Sequence, residues 1–106
     1  MSRKFFDSLR RFQEVLTWMS ANTTLARRED WMGTSETDRQ RCVANLDALA
    51  YAWTQAPQDL MTLRQMTLRC LELYATGELD AGHFAVREID EFLSGVRDRA
   101  VAAKAN

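Results

Sequence analysis

The sequence predicts an all-α fold, a compact antiparallel bundle of four main helices plus one short helix. Apolar residues recur every three or four positions along most of the chain, which is the period of a helix buried on one side. Leu, Ala, Arg and Glu are frequent, while Gly occurs only four times and Pro only once. With 106 residues, the chain is expected to form one domain, 1–106. The predicted helices span residues 3–20, 25–32, 36–56, 59–76 and 81–103.

The first helix is predicted from a single apolar stripe that repeats at alternating spacings of four and three. Its members are Phe5, Leu9, Phe12, Leu16 and Met19. The opposite face is charged, and Asp7 and Arg11 stand four residues apart, as do Arg10 and Glu14. Residues at this spacing are neighbours on a helix surface, so we interpret this face as solvated and paired with itself.

An interruption and a short helix are predicted next. The polar triplet 22–24 ends the first helix, the short helix covers 25–32, and Gly33 ends it. Ser35 is then expected to cap the following helix, with Asp38 three residues further on in a variant of the capping box.

The two middle helices, 36–56 and 59–76, carry more apolar residues than one face can hold. Their main stripes are Cys42, Val43, Leu46, Leu49, Ala50 and Trp53 in one, and Leu60, Leu63, Thr67, Cys70, Leu71 and Tyr74 in the other. Further apolar residues lie on their far sides, namely Ala44, Ala48, Tyr51, Met61 and Leu68. Pro57 separates the helices and Gly77 ends the second of them. We therefore expect them to form a central hairpin with the first and last helices on its flanks.

The last helix is predicted from a start signal and a stripe. Asp80 is the expected N-cap, and Leu79 and Phe84 occupy the two positions of a hydrophobic staple. The stripe that follows consists of Val86, Ile89, Phe92, Leu93, Val96 and Ala100.

Charge and cysteine content indicate a cytoplasmic protein without a nucleic-acid partner. The formal net charge is −1, whereas nucleic-acid binding favours a basic chain. Cys42 and Cys70 fall on apolar faces and are interpreted as small buried hydrophobes in a reducing compartment, with a disulfide as the alternative. No signal peptide and no membrane span are predicted, and a monomer is favoured.

No catalytic site is predicted. His83 is the only histidine, so a Ser–His–Asp or Cys–His arrangement would have to use it. It stands in the first turn of a helix, and neither cysteine has a fixed sequence relation to it. A zinc site needs three or four ligands, which two buried cysteines and one distant histidine do not supply. We expect no catalytic, metal-binding or cofactor-binding residue, and no enzyme.

Protein binding is the function class that fits these features. Trp18 lies off the stripe of the first helix, and an exposed Trp is a favoured interface anchor; alternatively, it packs against residues 25–32. The last helix carries an acidic patch that could occupy a basic nucleic-acid groove on a partner protein. Alternatively, that patch is a solvated face. The candidate partner-binding residues are Trp18, Glu78, Asp80, Glu88, Asp90 and Glu91.

Two alternatives remain open. A small DNA-binding transcriptional regulator would require a set of arginines to converge on one face, namely Arg10, Arg11, Arg27 and Arg28. A helical subunit or antitoxin would instead use a protein partner to cover the apolar excess of the middle helices.

As a whole, the chain resembles the small phage-encoded anti-CRISPR proteins, in particular the helical inhibitors of type I-E systems. The resemblance covers all 106 residues, and segments 5–12 and 77–84 are the most suggestive. It implies a stoichiometric inhibitor in the bacterial host cytosol. Such an inhibitor would bind the crRNA-guided surveillance complex or its nuclease-helicase and block DNA binding or cleavage. These proteins share no common motif, so the resemblance assigns no functional residue here.

Overall fold

The computed structural model describes residues 2–28 and 36–105. Within these ranges it contains four helices and no strand, which confirms the all-α prediction. The helices are α1 (Arg3–Arg28), α2 (Glu36–Ala52), α3 (Pro57–Ala75) and α4 (Leu79–Ala105). The described helices do not combine the length and the apolar character that a membrane crossing requires.

Contacts at the helix ends show that neighbouring helices are antiparallel. The ring centroids of Phe5, at the start of α1, and Trp53, just after α2, lie 5.2 Å apart. The Arg99 guanidinium, late in α4, lies 3.2 Å from the carboxylate of Asp59 at the start of α3. The bundle measures 51 × 20 × 19 Å.

The helix pair at the centre of the bundle is not the predicted one. α1 packs along both α2 and α4, and α3 packs along α4, whereas α2 and α3 touch only slightly. The predicted central hairpin of the two middle helices is therefore wrong. Instead, α1 and α4 join two closely packed pairs, α1–α2 and α3–α4, and a seam between α2 and α3 stays partly open.

The core forms where the predicted stripes meet. Its fully buried large side chains include Phe5, Leu9, Phe12, Leu16, Met19, Leu49, Leu63, Tyr74, Ile89 and Leu93. Two polar residues are buried with them, and both satisfy their hydroxyl groups within their own helix. Thr23 donates to the Met19 carbonyl at 2.7 Å, and Thr67 donates to the Leu63 carbonyl at 2.8 Å.

The short helix predicted at 25–32 is not a separate element. α1 continues through Arg28, because Thr23 is buried and bonded to its own helix instead of interrupting it. The remainder of that segment lies outside the described residues, as do the predicted Gly33 stop and Ser35 cap.

α2 ends at Ala52, earlier than the predicted residue 56. The connection to α3 is tight, and Ala56 in it adopts a left-handed conformation with φ 51° and ψ 61°. Trp53 is buried there, and its indole N–H donates to the Ala56 carbonyl at 3.2 Å. Pro57 follows as the first residue of α3, a position that proline favours.

The connection between α3 and α4 confirms Gly77 as the helix stop. Gly77 has a φ of 81°, and its N–H donates to the Tyr74 carbonyl at 3.2 Å. The next N–H, from Glu78, donates to the Leu73 carbonyl at 2.9 Å, which completes a Schellman motif. α4 begins at Leu79, so Asp80 lies inside the first turn and not at the predicted cap position.

Candidate protein-binding surfaces

Two of the predicted partner-binding residues, Trp18 and Asp90, line the same groove between α1 and α4. This α1–α4 groove has a volume of about 490 Å³ and is also lined by Arg10, Gln13, Glu14, Thr17 and Ser94. Trp18 is 65% exposed. The alternative contact of its indole with residues 25–32 involves side chains outside the described part of the chain.

The position of both residues follows from the stripes beside them. Met19 and Ile89 are core residues, and Trp18 and Asp90 are their immediate neighbours in sequence. Adjacent residues on a helix are separated by about 100° around the axis. Each side chain therefore sits at the border of the core, where α1 and α4 pack together.

Asp90 is the least satisfied polar group of this groove. Its Oδ1 atom is buried and has no hydrogen-bond partner among the described residues. Burial raises the pKa of the Asp90 carboxyl because the charged form loses solvation. A hydrogen-bond donor from a partner protein could therefore bind Oδ1 without a further desolvation cost for that oxygen.

The other predicted acidic residues do not join Asp90 in one patch. Glu78, Asp80, Glu88 and Glu91 are all exposed. Glu78 and Glu91 are 13 positions apart, which corresponds to about 20 Å along a helix. Glu88 lines a different groove, between α3 and α4, together with residues such as Arg69 and Phe84.

The arginines that would serve a DNA-binding protein also separate. Arg10 lines the α1–α4 groove, whereas Arg11 lines a groove between α1 and α2. In that second groove the Lys4 ammonium lies 4.7 Å from the centre of the Tyr51 ring. The side chains of Arg27 and Arg28 lie outside the described part of the chain.

A hydrogen-bonded cluster that the sequence analysis missed surrounds His83. The hydroxyl oxygens of Ser20 and Tyr74 each lie 2.8 Å from Nδ1 of His83. The cluster thereby connects α1, α3 and α4. Burial raises the pKa of the Tyr74 phenol to about 12, so the phenol keeps its proton. No spacing rule joins residues 20, 74 and 83, so the sequence carried no signal for this cluster. Beside it, Gly82 leaves room for the Tyr74 ring, because a Cβ there would lie 2.6 Å from that ring.

Both cysteines are buried free thiols, which confirms that they act as small apolar residues. Burial raises the pKa of Cys42 and of Cys70 to about 12, so both stay protonated at neutral pH. Across the described residues, no three His, Cys, Asp or Glu side chains are grouped as a metal site would require.

The described residues thus define an antiparallel helical bundle with a closed core and with an exposed indole beside an unsatisfied carboxyl group. No family model, curated protein or solved structure matches the chain.

Proposed function

We propose that the protein is a non-enzymatic inhibitor that works by binding another protein. The α1–α4 groove carries this proposal, because it places the exposed Trp18 beside the unsatisfied carboxyl oxygen of Asp90. Such a pair supplies the two parts of a strong interface contact, a large rigid anchor and a directional acceptor. The resemblance to helical type I-E inhibitors suggests an anti-CRISPR protein. Its partner would be a type I CRISPR effector complex or its nuclease-helicase, and binding would block DNA interference.

The chemistry of the groove fits a basic side chain from the partner. An Arg or Lys could stack on the indole face of Trp18 while it donates to the carboxylate of Asp90. Arg10 and Glu14 line the same groove with opposite charges, so Asp90 is the acid that gives the groove its preference for a cation. Proteins that hold DNA or crRNA expose such basic side chains for phosphate binding, so an inhibitor that occupies them excludes the nucleic acid.

The test is a set of single substitutions in the groove, with matched controls outside it. Trp18→Ala and Asp90→Asn should each weaken binding to the purified effector at least tenfold and lower inhibition of interference in bacteria. Tyr51→Ala and Asp98→Asn are the controls, since both residues are exposed and neither lines this groove. If the groove variants stay folded and inhibit like the wild type, the α1–α4 groove is not the binding surface. If the wild type inhibits no type I system, the anti-CRISPR proposal is wrong.

The exposed acids of α4 are proposed to assist by attracting the same basic surface. Reversing two of them, Glu88→Lys with Glu91→Lys, should slow association and reduce its dependence on salt, while dissociation changes less. Stopped-flow or surface-plasmon measurements at two salt concentrations would show this. Unchanged association and undiminished inhibition would remove this face from the proposed surface.

A further inference from the structure

We infer that the open seam between α2 and α3 is a second docking site, and that it takes an amphipathic helix of a partner protein with Lys or Arg flanking its apolar stripe. Because α1–α2 and α3–α4 are the closely packed pairs, this site lies on the side of the bundle opposite the α1–α4 groove. It therefore goes beyond the proposed function.

The floor of this α2–α3 groove is apolar. The groove has a volume of about 520 Å³, and its apolar lining consists of Val43, Ala44, Leu71 and Ala75. Val43 is 40% exposed although the sequence pattern places it in the main stripe of α2. The cause is the slight contact between α2 and α3, which leaves this stripe without a neighbour.

The apolar strip continues along α3 beyond the groove. Leu68 stands three residues before Leu71 on the same side of α3, and it is 61% exposed. A helix laid along the seam would cover these side chains with the apolar positions that recur every three or four residues on one of its faces.

The length of the groove sets the length of its occupant. The lining residues of α2 run from Glu36 to Asp47. Those twelve positions span about 17 Å at the rise of an α-helix, so the occupant makes contact over about three turns.

The charge of the rim selects a basic occupant. Glu36 and Asp47 on α2 and Glu72 on α3 line the groove. Arg39 is the cation among the described lining residues, and its guanidinium lies 2.6 Å from the Glu36 carboxylate. Asp47 and Glu72 remain on either side of the apolar floor, where they would flank an occupant with Lys or Arg beside its stripe.

The same rim disfavours a second copy of this chain as the occupant. A two-fold symmetric interface brings the same patch of both copies together. Each rim has three carboxylates and one guanidinium among its described lining residues, so two surfaces of the same net negative charge would face each other, which is repulsive.

The experiment uses a labelled synthetic peptide of 14 residues with a Leu stripe at helical spacing and Lys on both sides of it. One matched peptide carries Glu in place of every Lys, and another has the same composition without the stripe. Fluorescence anisotropy should show the Lys peptide binding at least tenfold more tightly than either control, and more weakly at higher salt. Nuclear magnetic resonance shifts should map the bound peptide to residues 36–47 and 68–75. Equal binding of all three peptides, or shifts elsewhere, would overturn the inference.

Two alanines of α2 provide a matched pair of variants. Both are exposed, but Ala44 lines the α2–α3 groove and Ala48 lines the groove between α1 and α2. Ala44→Arg should weaken peptide binding at least tenfold, and Ala48→Arg should leave it unchanged. A wild-type dimer that Ala44→Arg dissociates, seen by light scattering, would assign the groove to a second copy and refute a separate partner. Trp18→Ala should keep full peptide binding, so this result is distinguishable from failure of the proposed function.

Discussion

At the scale of one residue, the Asp90 side chain lowers the stability of the folded state. Its carboxyl is buried at one oxygen without a hydrogen-bond partner in the described structure, and its pKa is raised. Residues that serve binding commonly sacrifice stability in this way. The same residue is the acceptor in the proposed interface, so stability and binding should respond to its substitution in opposite directions.

We predict that Asp90→Asn raises the melting temperature at pH 7. The raised pKa means that the folded state favours the protonated carboxyl, and this advantage is fully present only below the usual pKa of Asp. It is lost as pH rises through the folded-state pKa, so at pH 7 the wild type is penalised and the Asn variant is not. The gain should shrink in melts at pH 3, where the wild-type carboxyl is protonated in both states.

The exposed Asp98 on the same helix provides the control for this prediction. Asp98→Asn should change the melting temperature little at either pH. A lower melting temperature for Asp90→Asn at pH 7 would contradict the physical reason given.

Gly82 and Gly95 make a second pair of residues with opposite expected responses. A Cβ at Gly82 would lie 2.6 Å from the Tyr74 ring, whereas one at Gly95 would meet only the end of the Arg99 side chain at 3.4 Å. Gly82→Ala should therefore lower the free energy of unfolding by about 1–3 kcal/mol, because overpacking displaces the ring. Gly95→Ala should raise it by about 0.5–1 kcal/mol through helix propensity. Urea denaturation measures both, and a loss in both variants would refute the distinction.

At the scale of the elements, the short connection between α2 and α3 is the strained part of the described backbone. Ala56 has φ 51°, a left-handed conformation in which a Cβ is unfavourable. We predict that Ala56→Gly raises the free energy of unfolding by about 0.5–1 kcal/mol. Ala48→Gly, at an exposed position inside α2, should lower it by about 1 kcal/mol. Equilibrium denaturation of both variants would test this, and a destabilised Ala56→Gly would show that the turn imposes no such strain.

The helices also show which features the sequence could predict and why helix pairing and the composition of the groove could not be predicted. The stripe of α1 is buried in full, because periodicity depends only on the helix itself. The predicted break at residues 22–24 failed, since a threonine hydroxyl that bonds within its own helix leaves the helix intact. The pairing of the helices depends on packing across the whole bundle, which periodicity within one helix does not encode. Leu68 shows this, because it is apolar but remains exposed on the surface. Trp18 could be identified from its position off the stripe, but its proximity to Asp90 across two helices could not.

At the scale of the whole molecule, the buried thiols of Cys42 and Cys70 and the buried phenol of Tyr74 make the free energy of unfolding depend on pH in the alkaline range. Each has a pKa raised to about 12 by burial. Their contribution is present below the pKa of the unfolded chain, about 8.5 for Cys and 10 for Tyr, and is lost as pH rises towards 12. The free energy of unfolding should fall by up to about 1.4 kcal/mol per pH unit for each group that ionises only in the unfolded chain.

Guanidinium denaturation between pH 8 and pH 11 would measure this slope. A Cys42→Ala, Cys70→Ala double variant should show a shallower slope, although it starts from lower stability because of the cavities. Thiol reagents should label the native protein slowly at pH 8 and label two cysteines per unfolded chain. Fast labelling of the native state would contradict the burial on which the prediction depends.

The placement of the two grooves on opposite sides of a bundle about 20 Å thick has a consequence for how the protein would act. A molecule engaged on both sides would bridge two subunits of one assembly, and the first contact would hold the second at a high effective concentration. Such bivalency makes the overall avidity exceed either single affinity. A substitution that abolishes binding at one groove would then speed dissociation from the assembly, while the other groove would still bind it.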